Sequence, residues 1–170
     1  MANVNQSVVF IFLISYISLS YGYPNGAPVS SCASLTPGHK TGGGEPIASQ
    51  PDSSFPYNLE SVAMKGNSHG SGESIAITLS SNFQGFLIEA RQGDSPIGEF
   101  DISGDENIQT INCGDGQKNA ITHTNPTVKK SISATWNAPA NFDRQQGAVE
   151  FHLTVAENHD TFWANHVVNV

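Results

Sequence analysis

Val149, Phe151, Leu153 and Val155 occupy every second position of one segment, with Glu150, His152 and Thr154 between them. A repeat of two puts the four apolar side chains on one face of an extended strand and the polar three on the other. Ile75, Ile77 and Leu79 repeat the pattern against Ala76 and Thr78. So do Ile132, Ala134 and Trp136 against Ser131, Ser133 and Thr135, in a run that stops at Pro139, which has no N–H to give a ladder. Trp136 ends an apolar row, the position of a core anchor rather than of a ligand platform. Further strands are expected at 57–64, 97–102, 107–113 and 161–170, and a short one near Ile47. Residues 84–91 could form a helix by propensity, but Gly85 and the strand-rich surroundings favour a strand.

Gly93-Asp94-Ser95-Pro96, Gly104-Asp105-Glu106 and Gly114-Asp115-Gly116-Gln117 separate these segments; Asp-Gly in the last tolerates the positive φ of a tight hairpin. Eight or so short strands with turns between them and no helical period describe a single all-β domain, an antiparallel sandwich or barrel. No segment recurs at a fixed period, which excludes propellers and solenoids. An immunoglobulin variable domain does not fit, because its tryptophan lies between the two cysteines and Trp136 follows both Cys32 and Cys113.

The beginning of the chain sets the compartment. Val8 to Leu19 is an uncharged apolar run, and Ser20-Tyr21-Gly22 ends it with small residues at the spacing a signal peptidase reads, although no Lys or Arg precedes it. The run is shorter than the roughly twenty residues that cross a bilayer. A cleaved secretory leader over residues 1–22 is therefore expected, cut between Gly22 and Tyr23, with a domain over residues 23–170 exported without a membrane span. In that oxidising setting Cys32 and Cys113 read as a disulfide, with a pair of free thiols as the alternative. Closing so long a loop stabilises a fold by about 4–5 kcal/mol as an upper figure. Residues 23–55, rich in Gly, Pro, Ser and Thr, read as a looped segment held down by Cys32. The exported chain has no glycosylation sequon, since Asn125-Pro126-Thr127 is blocked by its proline.

Fifteen acidic residues against seven basic ones leave a formal charge of −8. That balance is unsuited to a nucleic-acid partner, which needs clustered Lys and Arg, and to a cationic peptide lying on anionic lipid.

YPNGAPVSSCASLTPGH at residues 23–39, Phe55-Pro56-Tyr57, FQGFLIEAR at 83–91, ITHTNPTVKKSISATWNAP at 121–139, GAVEFHLTVAEN and Phe162-Trp163 together resemble the reelin-domain, or reeler, family. The match keeps the order of the motifs over nearly the whole exported chain. A leader followed by a single reeler is similar to the noduler-like insect defence proteins of that family. The resemblance implies an immunoglobulin-like antiparallel β-sandwich, secreted into haemolymph, that serves innate immunity. It implies binding to microbial surface molecules (lipopolysaccharide, lipoteichoic acid or glucan) and to haemocytes, by a monomer with no cofactor and no catalysis. The alternative is an extracellular matrix or cell-adhesion module.

Candidate chemistry is sparse. Gly66-Asn67-Ser68-His69-Gly70 spells the nucleophile-elbow pattern, but a hydrolase needs a helix after it and here more loop follows. The six histidines lack metal-ligand spacing and read as separate surface residues. Asp94, Glu99, Asp101, Asp105 and Glu106 fall among turns without an EF-hand pattern and read as solvated acids. Lys118, His123, Lys129 and Lys130 are the one cationic concentration and the candidate ligand-binding patch, able to meet phosphate groups. The plainer alternative for them is a strand edge kept soluble by lysine. Phe162 or Trp163 could stack on a sugar, at most one of them on a given face.

Overall fold

The computed structural model describes residues 22–65 and 72–170. The expected leader, apart from Gly22, and the Gly66–Gly70 pattern lie outside these residues. Ten strands are present among them: β1 (Asn58–Lys65), β2 (Glu73–Phe83), β3 (Gly85–Gln92), β4 (Ser95–Pro96), β5 (Glu99–Asp101), β6 (Ile108–Ile111), β7 (Ala120–His123), β8 (Lys129–Asn137), β9 (Glu150–Ala156) and β10 (Phe162–Asn169). They form two antiparallel sheets, ordered β1-β2-β8-β5 and β10-β9-β3-β7-β6, with β4 beside the end of β3. The steps from β2 to β3 and from β8 to β9 both change sheet, while β2 pairs with β8 and β3 with β9. That interlocking makes an immunoglobulin-like sandwich.

Alternation decides what the two sheets bury. Ile75, Ile77 and Leu79 of β2 and Ile132, Ala134 and Trp136 of β8 meet Phe86, Ile88 and Ala90 of β3 and Phe151, Leu153 and Val155 of β9 in one core. Trp136 is fully buried, edge-on to Phe142 and Phe151, and its Nε1 donates to the Ile97 carbonyl at 2.9 Å. Gly98 permits this approach. A Cβ there would stand 2.3 Å from Nε1, and its φ is +71°.

The strand over 84–91 forms as expected, whereas 107–113 keeps only the four residues of β6 and 97–102 only the three of β5. Near Ile47 no strand forms; the chain there makes only an isolated bridge between Lys40 and Pro46 around the glycine-rich turn. Phe162 and Trp163 are both buried, which removes either as a sugar platform. Trp163 turns into the core against Tyr57 and donates to Ser54 Oγ at 3.0 Å, while Phe162 packs under the ring of His39.

Along β3, β7 and β9 the outer face of the six-stranded sheet is largely covered, whereas Val167 and Asn169 of β10 stay exposed. On that face His152 is buried with its Nδ1 2.7 Å from Asn165 Oδ1, and beside it Leu87, Glu89, Thr122 and Thr154 are buried beneath the N-terminal segment. This strap crosses the strands in their order in the sheet. Asn25 O accepts from Gln109 of β6, and the Ala27 amide donates to Thr122 Oγ1 of β7 at 2.9 Å. Cys32 O accepts from Arg91 of β3 at 2.9 Å, Leu35 O from Thr154 of β9, and the Gln50 amide donates to the Phe162 carbonyl of β10 at 2.8 Å. A segment with no ladder of its own thus has its backbone polar groups satisfied by outward-facing side chains.

The Cys32–Cys113 disulfide closes 81 positions and pins the strap, where a single helical turn, α1 (Ser31–Ser34), packs with Leu35 against Leu87 and Ala120. It therefore lies outside the sandwich core, unlike the inter-sheet bridge of an antibody domain. Beneath it, fully buried Glu89 pairs with Arg91 at 2.8 Å, and burial pushes the Glu89 carboxyl above the usual range against the pull of Arg91.

Candidate functional site

Between the strap and one end of β3, β7 and β9 lies a cavity of about 330 Å³. Its apolar wall is Pro24, Ala27, Pro37, Phe86, Leu87 and Ala156, and three imidazoles, those of His39, His123 and His159, converge on it. Among the described residues lining it there is no Asp, Glu, Lys or Arg. Tyr23, Pro24, Thr36 and Pro126 at its rim are exposed, so the cavity has a mouth.

Three of the described histidines, His39, His123 and His152, are buried and so are not the separate surface residues expected from their spacing. His39 stacks on His159 with ring centroids 4.7 Å apart, edge-on to Phe162. Asp160 Oδ1 lies 2.7 Å from His159 Nδ1, while His39 Nδ1 and His159 Nε2 are buried without a partner. His123 accepts the Phe86 amide at Nδ1 (3.2 Å), and so donates from Nε2 to the Tyr23 carbonyl (3.0 Å). That arrangement needs the neutral ring. Burial lowers the pKa of both His39 and His123, assisted by His159 for the first and by Lys129 for the second.

The consequence for pH has a definite sign. Because the unfolded chain takes up protons near pH 6.5 that these two folded rings refuse, their contribution is complete above that pH. It is lost as pH falls through it. Glu89, with a raised pKa, acts in the opposite sense, so a local readout is needed. The Gly26 and Ala27 amides, bonded to Tyr23 O and Thr122 Oγ1, should lose hydrogen-exchange protection as pH falls from neutrality through about 6.5 and below. Constant protection across that range would refute the assignment.

The four residues of the expected cationic patch do not form one surface. Lys118 and Lys130 are exposed, whereas His123 and Lys129 are buried. The Lys118 carbonyl accepts from the amide of Phe100, which pairs with Trp136 at the far end of β8 from Lys130. The six residue steps from Lys130 to Trp136 span about 20 Å of strand. Alternation run back from Ile132 would turn Lys130 inward and Lys129 outward. The register irregularity between Ser80 and Phe83 on the facing strand, where Ser81 has φ 118°, breaks that alternation.

The Lys129 ammonium donates to the carbonyls of Gln84 (2.9 Å), Asn125 (2.7 Å) and Thr127 (2.8 Å), and burial lowers its pKa. Three donors meet three acceptors, and they tie the Asn125–Thr127 loop to the rim of the cavity. Lys129→Ala should therefore cost about 1–3 kcal/mol in a urea titration, by orphaning carbonyls, while Lys130→Ala stays within about 0.5 kcal/mol. Equal midpoints for the two variants would return Lys129 to the surface.

Asp101 and Asp105 accept the amides of Ser103 and Asn107, holding their own turns. No group of three or more His, Cys, Asp or Glu among the described residues is placed to hold a metal ion, and no helix there is long and apolar enough to cross a membrane. The hydroxyl of Thr154 on the cavity lining donates to the Leu35 carbonyl and that of Thr122, just behind the lining, to the Phe86 carbonyl, which leaves them no proton to give a base.

Fold and site together define a strapped, disulfide-pinned sandwich of the immunoglobulin-like class, with a small-molecule-sized cavity under the strap. The model of the Reeler domain matches residues 30–170, and the chain belongs to the Reeler domain family. It is similar to Putative defense protein 3 of Antheraea mylitta, 34% identical over 158 residues that make up 90% of this chain and 88% of that protein. It also matches Putative ferric-chelate reductase 1 of Danio rerio, at 33% identity over 93% of this chain but only 26% of the fish protein. The crystal structure of the Reelin-N domain of F-spondin superposes with a TM-score of 0.52 at 20% identity, over 68% of this chain and 85% of that one, which shows the shared fold.

Proposed function

We propose that this protein is a secreted innate-immune defence protein that binds microbial surface components and performs no catalysis. The observation that carries the reading is its similarity along nearly their whole length to the moth defence proteins, where the reductases share only about a quarter of theirs. The site is consistent with binding. Its imidazoles stand over apolar wall, and the neighbouring threonine hydroxyls are committed to backbone carbonyls. Export would follow cleavage between Gly22 and Tyr23, and the acidic charge of −8 argues against killing by insertion into anionic membranes.

Disulfide-intact protein over residues 23–170 should sediment with washed bacteria or fungi, and should be retained by at least one of immobilised lipopolysaccharide, lipoteichoic acid or glucan. Retention by none of them, with adhesion to animal cells or matrix instead, would replace this reading by that of an adhesion module. With two of the four expected patch residues buried, charge reversal at Lys118 and Lys130 is the remaining test of an electrostatic contribution.

A further inference from the structure

The cavity under the strap has a chemistry of its own, independent of any microbial surface. A dry apolar cavity of about 150 Å³ accepts a guest the size of benzene, so 330 Å³ leaves room for on the order of twelve heavy atoms. The wall made by Ala27, Pro37, Phe86, Leu87 and Ala156 offers such a guest no polar partner beyond the backbone. The titratable polar groups are gathered instead at His39, His123 and His159, while Ser31, Thr36, Gln84 and Asn158 add neutral polar groups to the lining. Two of their ring nitrogens, His39 Nδ1 and His159 Nε2, are buried and unpaired although His39 is only 9% exposed. Buried polar atoms left without a partner are costly, and a ligand that supplies one recovers that cost.

We infer that this cavity binds one molecule of a medium-chain aliphatic carboxylic acid, its chain against Phe86, Leu87 and Ala156 and its carboxyl group at the His39–His159 pair. Both nitrogens are sealed from the cavity as the rings stand, so binding requires the two imidazoles to turn and present them; a carboxyl group then has two oxygens for two nitrogens, where an alcohol has one. No lining Asp or Glu repels it among the described residues. Transfer of one proton to an imidazole gives a carboxylate–imidazolium pair, the proton coming from the acid itself or, above its pKa, from solvent. Charged groups near the two rings are Asp160 beside His159 and Lys129 near His123, and the former favours the protonated pair. Cleavage after Gly22 would set the α-amino group of Tyr23 at the same rim, a further cation for the carboxylate.

An acyl chain esterified within a larger lipid has no such carboxyl group, so the free acid and its ester separate the two sources of one chain. Protein over residues 23–170 is titrated with decanoic acid, methyl decanoate and decanol, followed by calorimetry and by the histidine ring NMR signals. The expected result is one acid bound per chain, with shifts at His39 and His159, net proton uptake at pH 7.5, and ester and alcohol at least tenfold weaker. His159→Ala should weaken acid binding at least tenfold, whereas Lys130→Ala, outside the cavity, should leave it unchanged. Ala156→Trp, which fills the cavity, should abolish binding; if it does not fold, Thr36→Trp at the exposed rim is the second blocking variant. Equal affinity for acid and ester, absence of histidine shifts, or undiminished binding in a folded blocked variant would each overturn the inference. Failure of this experiment leaves retention on microbes untouched, and the reverse also holds.

Discussion

Trp136→Ala is expected to lower stability by about 3–5 kcal/mol, close to the whole stability of many domains of this size. The indole fills the contact between the sheets, edge-on to Phe142 and Phe151, with no exposed surface. Its removal leaves a cavity that the β8 backbone cannot close, because β8 is paired on both sides, to β2 and to β5. It also orphans the Ile97 carbonyl, worth about 1 kcal/mol more. Trp136→Phe keeps a ring in place and loses mainly the hydrogen bond and part of the volume, so its urea midpoint should fall between those of the wild type and the alanine variant. An alanine variant with an unchanged midpoint would mean that Trp136 is no anchor.

Removing the disulfide should be the second large loss. The chain-entropy cost for a closed loop of 81 positions is about 4–5 kcal/mol as an upper figure. At roughly 2–4 °C per kcal/mol, the Cys32→Ser, Cys113→Ser variant should melt about 10–20 °C lower. The character of the loss follows from where the bridge sits. Cys32, Leu35, Leu87, Cys113 and Ala120 form a cluster separate from the sandwich core, so the strap should loosen first and the sheets remain. Hydrogen exchange at pH 7.5 should show residues 23–40 unprotected in this variant while β2, β3, β8 and β9 stay protected. Uniform loss across both regions would place the bridge within the folding core after all.

The strands were legible because alternation is local: Val149, Phe151, Leu153 and Val155 are fully buried, as their spacing required. The same rule misplaced the residues between them. His152 and Thr154 face away from the sandwich yet are buried, His152 beside Asn165 and Thr154 under a third layer, and nothing in the period of β9 encodes a cover supplied more than a hundred positions earlier. The cationic patch failed for a related reason. Lys118, His123, Lys129 and Lys130 are neighbours in sequence, but a register irregularity on β2 and a loop over the ammonium separate the buried pair from the exposed one. His39 and His159, 120 positions apart, meet only because the strap runs from β6 to β10 across the sheet. The elbow pattern at Gly66–Gly70 and the expected leader, apart from Gly22, lie outside the described residues and rest on the sequence alone.

What the sequence determined by itself was the class of fold, the core face of β2, β8 and β9 and the cysteine pair. Each of these depends on residue type at short spacing or on a count. What only the tertiary structure decided was which polar side chains are free to touch a ligand. That depends on what lies over each face, and the strap over the outer sheet is placed by hydrogen bonds and a disulfide that join distant parts of the chain, which no local period records.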